Sequence, residues 1–285
     1  MVACHQSFPA LTGYPVNNMR SDAADTIAAA GTPTFWTTGA ARPPRQNAVR
    51  VFDHDPDLIA GIDAESAQTL RRCVIARRLT LPCGPWSPPA GDGPLAGALG
   101  LLVLDGLVCR SLRVHDRDCP ELLGAGDLLR PWEETAPGLI DEGSSWRVLQ
   151  PTTIAILDAR FAALLGRWPS ITVALLARST QRARALALQR GIAHTRQAET
   201  RLLSLFWQLA ERWGRMTPQG VVLPLPLTHE LLGQLACLHR PTTSTALQRL
   251  VRAGEIARRA DRGWALLGEP PGQRGDAAAD SSFAA

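Results

Sequence analysis

The sequence contains no lysine, so all 30 of its basic residues are arginine. This absence extends through the acidic half of the chain, so we attribute it to genome base composition and give it no functional weight. The longest apolar stretch, residues 95–108, is interrupted by Asp105 and is shorter than the ~20 residues of a membrane span. The first ten residues carry neither a basic cluster nor an apolar run, so we expect no signal peptide, no membrane association and a cytoplasmic location.

Closely spaced cysteines are also lacking. The six cysteines lie at positions 4, 73, 83, 109, 119 and 237, in a chain too long to need disulfide staples. We therefore expect reduced thiols, with Cys73–Cys83 and Cys109–Cys119 as the alternative redox pairs. No Ser-His-Asp order, phosphate-binding loop or pair of carboxylates stands in a recognisable context, so the sequence predicts neither an enzyme nor catalytic residues.

What is present is a core-forming chain of uneven charge. Its 285 residues are 45% hydrophobic and 20% charged, which is typical of about two globular domains. Residues 1–157 hold 13 arginines against 17 acidic residues, whereas residues 158–268 hold 16 against 6. A basic segment joined to an acidic one indicates that the second half binds a polyanion.

The pattern of apolar residues divides the chain into five parts. Residues 1–48 and 269–285 are small, polar and aperiodic, and are predicted to be disordered tails. Residues 49–165 carry short apolar runs separated by glycine and proline, which is typical of an antiparallel β-sandwich or jelly roll. Within it, residues 101–105 and 107–114 predict a hairpin that turns at Gly106.

Helical periodicity begins at Asp158. Residues 159–165 predict a short helix, and residues 166–194 a long one whose buried stripe includes Leu176, Leu186 and Ile192. The long helix is either the core of a bundle or a connecting helix that pairs with a second copy. Its other face carries a row of arginines that should stay solvated: Arg178, Arg182, Arg184 and Arg190.

Residues 195–268 predict a winged helix-turn-helix. After a helix over 195–213, Thr228 is a suitable N-cap for a first short helix, and Pro241 lies near the start of a second. A three-residue turn at 237–239 joins the two helices. Residues 221–225, the segment EIARRA and the segment WALLG predict three strands, of which the last two form the wing.

The outward positions of this unit donate or accept hydrogen bonds, and none is acidic on the second helix. A helix used only for packing tolerates Asp or Glu there, whereas a helix that enters a DNA groove does not. The candidate DNA-binding residues are Thr228, His229, His239, Arg240, Thr242, Thr243, Ser244, Thr245, Gln248, Arg258, Arg259 and Arg262.

The order of these parts, together with the segment LTHELLGQLACLHRPTTSTALQRL, resembles the Crp/Fnr transcription regulators, which are cyclic-nucleotide-receptor-like dimers. The resemblance runs from about residue 51 to 267. It implies an α+β fold with an N-terminal cyclic-nucleotide-binding-like β domain, a long dimerisation helix and a C-terminal winged helix-turn-helix. Its implied partners are double-stranded DNA, a second copy of the chain and RNA polymerase.

The effector pocket departs from that family. Gly124, Gly126 and Asp127 resemble the turn before the ligand pocket, but Arg130-Pro131 stands where Gly-Glu is expected, and Ser144-Ser145 where Arg-Ser is expected. Without the arginine, a buried phosphate loses a charge-assisted contact of ~1.5–3 kcal/mol. We therefore expect no cyclic nucleotide, and Cys4 alone supports no iron–sulfur cluster, so no cofactor is predicted.

Two alternatives stay open at this point. The effector-pocket candidates, with Trp146 as a wall, would serve an effector of unidentified chemistry, and the chain could act as a small-molecule or thiol redox sensor through protein contacts. The segment His115-Asp116-Arg117-Asp118-Cys119 is either a polar hairpin turn or a metal site, and we expect the turn and no metal.

Overall fold

The computed structural model describes residues 47–89, 95–115, 117–135 and 142–271. The tails expected over 1–48 and 269–285 lie mostly outside those ranges. Within them, no helix combines the length and the apolar character that crossing a membrane requires.

The first half forms an antiparallel sheet of seven strands in the order β1-β2-β7-β4-β5, with β3 also paired to β7 and β6 to β4. Two long strands organise it, because β2 and β3 pair with different halves of β7, and β6 and β5 with different halves of β4. This confirms the predicted antiparallel β domain. The strands are β1 Ala48–Arg50, β2 Ile75–Leu81, β3 Gly84–Trp86, β4 Gly100–Val114, β5 Arg117–Gly124, β6 Leu128–Leu129 and β7 Glu142–Leu157.

The hairpin predicted at Gly106 is wrong, because β4 runs through this glycine as one bulged strand. The register with β7 shifts between Val103 and Val108, and Gly106 takes a φ of 96°. A Cβ here would collide with the backbone of Pro151 and Thr152. The true turn is the predicted polar one, where His115 has a φ of 56° between β4 and β5.

Five helices accompany the β domain: α1 Val51–His54, α2 Ala64–Cys73, α3 Ala159–Leu165, α4 Pro169–Ala193 and α5 Ala198–Trp213. The last three were predicted within a few residues. Helices α1 and α2 fall where only strands were predicted, although Asp63 caps α2 by accepting from the Ser66 amide at 2.9 Å. Helices α1 to α4 pack together in one buried cluster that includes Phe52, Phe161 and Ile171.

Helix α4 is 25 residues long, and only part of its predicted stripe is buried. Ile171, Leu175 and Ile192 are covered by the chain's own domains, whereas Leu176 is 65% exposed. The predicted row of solvated arginines is also wrong for two members. Arg178 pairs with Asp55, and Arg182 pairs with Glu121, and both carboxylates are at most 10% exposed.

The second half contains the predicted winged unit. A sheet in the order β10-β11-β9-β8 flanks two short helices, and Leu202, Phe206, Leu232 and Trp264 lie in its buried core. Its elements are β8 Arg215–Thr217, β9 Gly220–Leu223, α6 His229–Leu235, α7 Arg240–Arg252, β10 Ile256–Arg258 and β11 Trp264–Leu266.

Candidate DNA-binding interface

Helix α6 anchors the interface to the core. The Thr228 hydroxyl accepts from the Leu231 amide at 3.1 Å, as expected of an N-cap. The leucines at 231, 232 and 235 are buried, so α6 presents only its first turn to solvent. Helix α6 therefore acts as the support of the unit, and the helix after the turn is the one exposed along its length.

The angle between α6 and α7 is set by a close contact. Cys237 takes a φ of 52° in the turn, and the Leu238 amide donates to the Gly233 carbonyl at 2.8 Å. A Cβ on Gly233 would lie 2.8 Å from Thr243 Oγ1, so a larger residue would push the helices apart. Thr243 is fully buried, and its hydroxyl donates to the His239 carbonyl at 3.1 Å. Its prediction as a DNA-binding residue is therefore wrong, since it packs between the helices.

The outward face of α7 is polar and cationic. Arg240, Thr242, Thr245 and Gln248 are exposed, and α7 contains no acidic residue. The side chains of Arg240 and Gln248 make no hydrogen bond or ion pair with any residue that the structure describes. Arg249 lies on the other side, where it donates to Glu199 of α5 at 2.7 Å. That hydrogen bond lowers the pKa of Glu199. The basic side chain on the rear of α7 is therefore paired with α5, whereas Arg240 and Gln248 on the front are not paired.

Histidine side chains border this face. His229, at the start of α6, places Nδ1 3.2 Å from the Ser244 hydroxyl of α7. His239 is exposed and precedes the first residue of α7. The structure thus brings His229 and Ser244 together and leaves both histidines beside the front of α7.

The three arginines predicted for the wing differ in how far their side chains are bound by other groups of the chain. The Arg258 guanidinium lies 4.6 Å from the centre of the Trp264 ring and donates to the Leu227 carbonyl at 3.1 Å. Arg259 pairs with Asp261, which also accepts from the Gly263 amide at 3.0 Å. Arg262 is exposed at the turn with a φ of 66°. Arg262 is therefore the wing residue best placed for a contact outside the chain.

A cavity of about 330 Å³ separates α7 from the wing. Apolar side chains, including Leu247 and Trp264, line it together with polar ones. The polar lining consists of His229, Gln248, Arg252 and Arg258. Four residues with hydrogen-bonding or charged ends thus converge on one groove.

The effector-pocket candidates lie on different elements of the β domain. Arg130 donates to the Leu99 carbonyl at 2.7 Å and pairs with Glu133. Trp146 is buried in the β domain, with its ring 5.5 Å from that of Trp86. Ser144 and Ser145 are exposed on β7.

The remaining candidates, Gly124, Gly126 and Asp127, form the turn between β5 and β6. Asp127 there pairs with Arg212 of α5. The seven positions are thus divided among a helix-facing turn, the residue that follows β6, an apolar core and an exposed strand.

Sequence reasoning missed two side chains that hold the helix-turn-helix from behind. Arg201 of α5 donates to the carbonyls of Ala236 and Cys237 at 3.3 Å, and Gln189 of α4 donates to the Leu235 carbonyl at 3.1 Å. These carbonyls end α6 and have no partner within their own helix. No local pattern could reveal the contacts, because the partners are at least 35 residues apart.

Comparison with known proteins agrees with this geometry. Residues 200–268 match the sequence model of the Crp-like helix-turn-helix domain. No curated protein matches the chain.

Among solved structures, a variant of CooA from Carboxydothermus hydrogenoformans is 21% identical, with 68% of this chain and 84% of that chain covered and a TM-score of 0.52. FixK2 from Bradyrhizobium japonicum is 15% identical over 68% and 94%, with a TM-score of 0.51. A cyclic nucleotide-binding domain containing protein from Listeria monocytogenes is 15% identical over 67% and 88%, with a TM-score of 0.54.

The chain therefore combines an antiparallel β domain with a Crp-like helix-turn-helix DNA-binding domain. Its fold is similar to the folds of the CooA variant and of FixK2.

Proposed function

We propose that the chain is a homodimeric, sequence-specific transcription regulator that reads double-stranded DNA with α7. One observation carries the proposal: the front of α7 is exposed, cationic and free of acidic residues, while the rear is paired with α5. Arginine in a major groove bonds O6 and N7 of guanine together, and threonine contacts phosphates or thymine methyl groups. The contacts proposed for α7 are Arg240, Thr242, Ser244, Thr245 and Gln248.

The wing and the start of α6 would add contacts to the DNA backbone. Thr228, His229, His239 and Arg262 are exposed beside α7, and cations beside a groove add sequence-independent affinity. Arg258 and Arg259 belong to the same basic surface, but their intramolecular partners reduce what each would contribute.

The second copy would pair along α4. Val173 and Leu176 are each 65% exposed, and Leu188 is 45% exposed on the same helix. Apolar side chains at this level of exposure are typical of a helix that packs against another helix. A two-fold dimer would place two α7 helices on half-sites about one helical turn of DNA apart.

We further propose that the effector pocket is degenerate and does not bind cyclic nucleotides. The interior of the β domain is filled by large apolar side chains, including Trp146, Leu123 and Ile154. Arg130 is engaged by a backbone carbonyl and by Glu133.

The functional parts would then be the β domain at 49–165, the dimerisation helix at 166–194 and the DNA-binding domain at 195–268. RNA polymerase would be the further partner, in the cytoplasm.

Selection of DNA from a random pool, followed by fluorescence anisotropy against salt, tests the proposal. We expect a recovered site with two related halves, a steep linear fall of log K with log salt, and two chains per duplex in sedimentation. A shallow salt response with no enriched sequence would contradict it. That result would favour the alternative, a small-molecule or thiol redox sensor that acts through protein contacts.

A further inference from the structure

The turn Gly124-Ala125-Gly126-Asp127 joins β5 to β6 and touches both long helices. We infer that in this chain it is the seat that fixes the DNA-binding domain on the β domain, and that Arg212 and Trp213 are positioning residues for DNA reading. The inference rests on the proposed function, since it concerns where α7 is held.

Asp127 is the centre of the seat. It is 5% exposed, and its Oδ2 accepts from the Gly124 amide and from Arg212 Nη2, each at 2.8 Å. Arg212, near the end of α5, also donates to the Ala125 carbonyl at 3.0 Å. A buried carboxylate requires a compensating charge, and α5 supplies it. The β domain and the helix that leads into the DNA-binding domain are therefore joined by an ion pair whose carboxylate is buried.

Trp213 forms the second part of the seat. A Cβ on Gly124 would lie 2.9 Å from Trp213 Nε1, so the indole fills the space that a side chain would take. The Arg212 guanidinium lies 4.7 Å from the centre of the same ring. Any residue larger than glycine at position 124 would displace the indole and, with it, the end of α5.

The other side of the turn contacts α4. Gly126 has a φ of 90°, and a Cβ there would lie 3.5 Å from Arg178 Nη1. Arg178 is itself held by the buried carboxylate of Asp55. The turn therefore lies between two arginines from two helices, with Gly124 and Asp127 buried and Ala125 exposed.

An apolar contact extends the seat toward the DNA-binding domain. Leu107, Cys109 and Leu122 of the β domain lie in the same buried cluster as the leucines of α5 and α6. Gln150 of β7 also donates to the Pro224 carbonyl, beyond β9, at 3.1 Å. Because α7 packs against α5 in this same buried cluster, through Ala246, Leu247 and Leu250, a shift of α5 on its seat moves α7 as well.

This arrangement separates two properties of DNA binding. The chemistry of base contacts lies on α7 and is independent of the seat. The distance and angle between the two α7 helices of a dimer depend on how each is held. Loss of the seat should therefore weaken binding to a two-half site and broaden the accepted spacing, while binding to one half-site stays the same.

The test uses the full-length protein and DNA selected by it from a random pool. Arg212→Leu removes the partner of Asp127, and Gly124→Ala displaces Trp213 without changing charge. Arg212→Lys is the conservative variant. The matched control is Arg113→Leu, which breaks the exposed pair of Arg113 with Asp118, 3.0 Å apart at the far end of β4.

Anisotropy measures the ratio of affinities for two-half and one-half sites, and for sites with one base pair inserted between the halves. We expect Arg212→Leu and Gly124→Ala to lower the two-half to one-half ratio at least tenfold and to flatten the spacing preference. Arg212→Lys should recover part of the ratio, and Arg113→Leu should stay within twofold of the wild type.

Amide hydrogen exchange gives a readout that does not need DNA. Residues 198–213 and 229–235 should exchange faster in both seat variants and at the wild-type rate in the control. The inference would be overturned if folded Arg212→Leu and Gly124→Ala kept the wild-type affinity ratio, spacing preference and exchange rates. An equal loss of affinity for one-half and two-half sites would also overturn it.

If the wild type itself binds no DNA, the proposed function fails, and the positioning role fails with it. Faster exchange in the seat variants would then show only a structural contact.

Discussion

The arginine that begins α7 gives the sharpest test of DNA reading. Arg240 is exposed, and no described residue pairs with it. A cation at a helix N-terminus is opposed by the helix dipole by ~0.3–1 kcal/mol, so the folded chain gains nothing from Arg240. Its replacement by alanine should therefore leave the free energy of unfolding unchanged or slightly higher, and any loss of DNA affinity would come from a lost intermolecular contact.

The expected loss is that of a bidentate arginine–guanine contact, about 1–3 kcal/mol, or about 5- to 150-fold in the dissociation constant on the selected site. On unrelated DNA, Arg240→Ala should cost much less, because only a general electrostatic contribution is removed. Anisotropy titrations on both DNAs at one salt concentration, with a chemical denaturation curve for each protein, measure these quantities.

Arg249→Ala is the matched control, since it removes the same charge from the same helix but from the face paired with Glu199. We expect it to change both affinities by less than about threefold, because an exposed ion pair contributes only ~0.2–1 kcal/mol to stability. Equal losses on selected and unrelated DNA for Arg240→Ala would refute the reasoning. The helix would then contact only the backbone of the DNA, and the sequence would have to be read elsewhere.

Four further predictions follow from particular residues. Millimolar cyclic AMP or cyclic GMP should give neither heat in calorimetry nor a shift in melting temperature, and saturable micromolar binding would show that the pocket is intact. Leu176→Asp should place a charge in the proposed dimer contact along α4 and give monomers in sedimentation, while the melting curve of the monomer stays unchanged. A wild type that is already monomeric would contradict this dimer contact. Burial raises the pKa of Cys109 to about 11, so about one Cys109 thiol in a thousand is ionised at pH 8. Mass spectrometry after a short iodoacetamide pulse should therefore find Cys109 labelled at least tenfold less than the exposed Cys119. Arg262→Ala should lower the affinity for selected and unrelated DNA alike and reduce the slope of log K against log salt by about one. Arg259→Ala should have a smaller effect, because Arg259 is paired with Asp261. The reverse order would place the wing differently on the DNA.

Local signals predicted the DNA-binding half well. The N-cap at Thr228, the buried leucines of α6 and the proline at the start of α7 act within three or four residues, so they can be read directly from the sequence. The absence of acidic residues along α7 is also a property of the sequence alone.

The same local reasoning failed where a signal has two structural meanings. Gly106 beside Asp105 is typical of a hairpin turn, but the same residues fit a bulge when the neighbouring strand passes close to the glycine. Thr243 is polar like its neighbours on α7, but the approach of Gly233 buries it. Position relative to a neighbouring element decided both cases.

Sequence alone therefore determined the order of the elements, the caps and the chemical character of the α7 face, because each depends on residues within a few positions of one another. Only the tertiary structure decided which arginines are free. Arg178, Arg182 and Arg212 find their carboxylates 123, 61 and 85 residues away in the chain. No periodicity spans such separations, because the pairing depends on how the helices pack on the β domain. That packing brings a buried acid from the first half of the sequence to a cation from the second half.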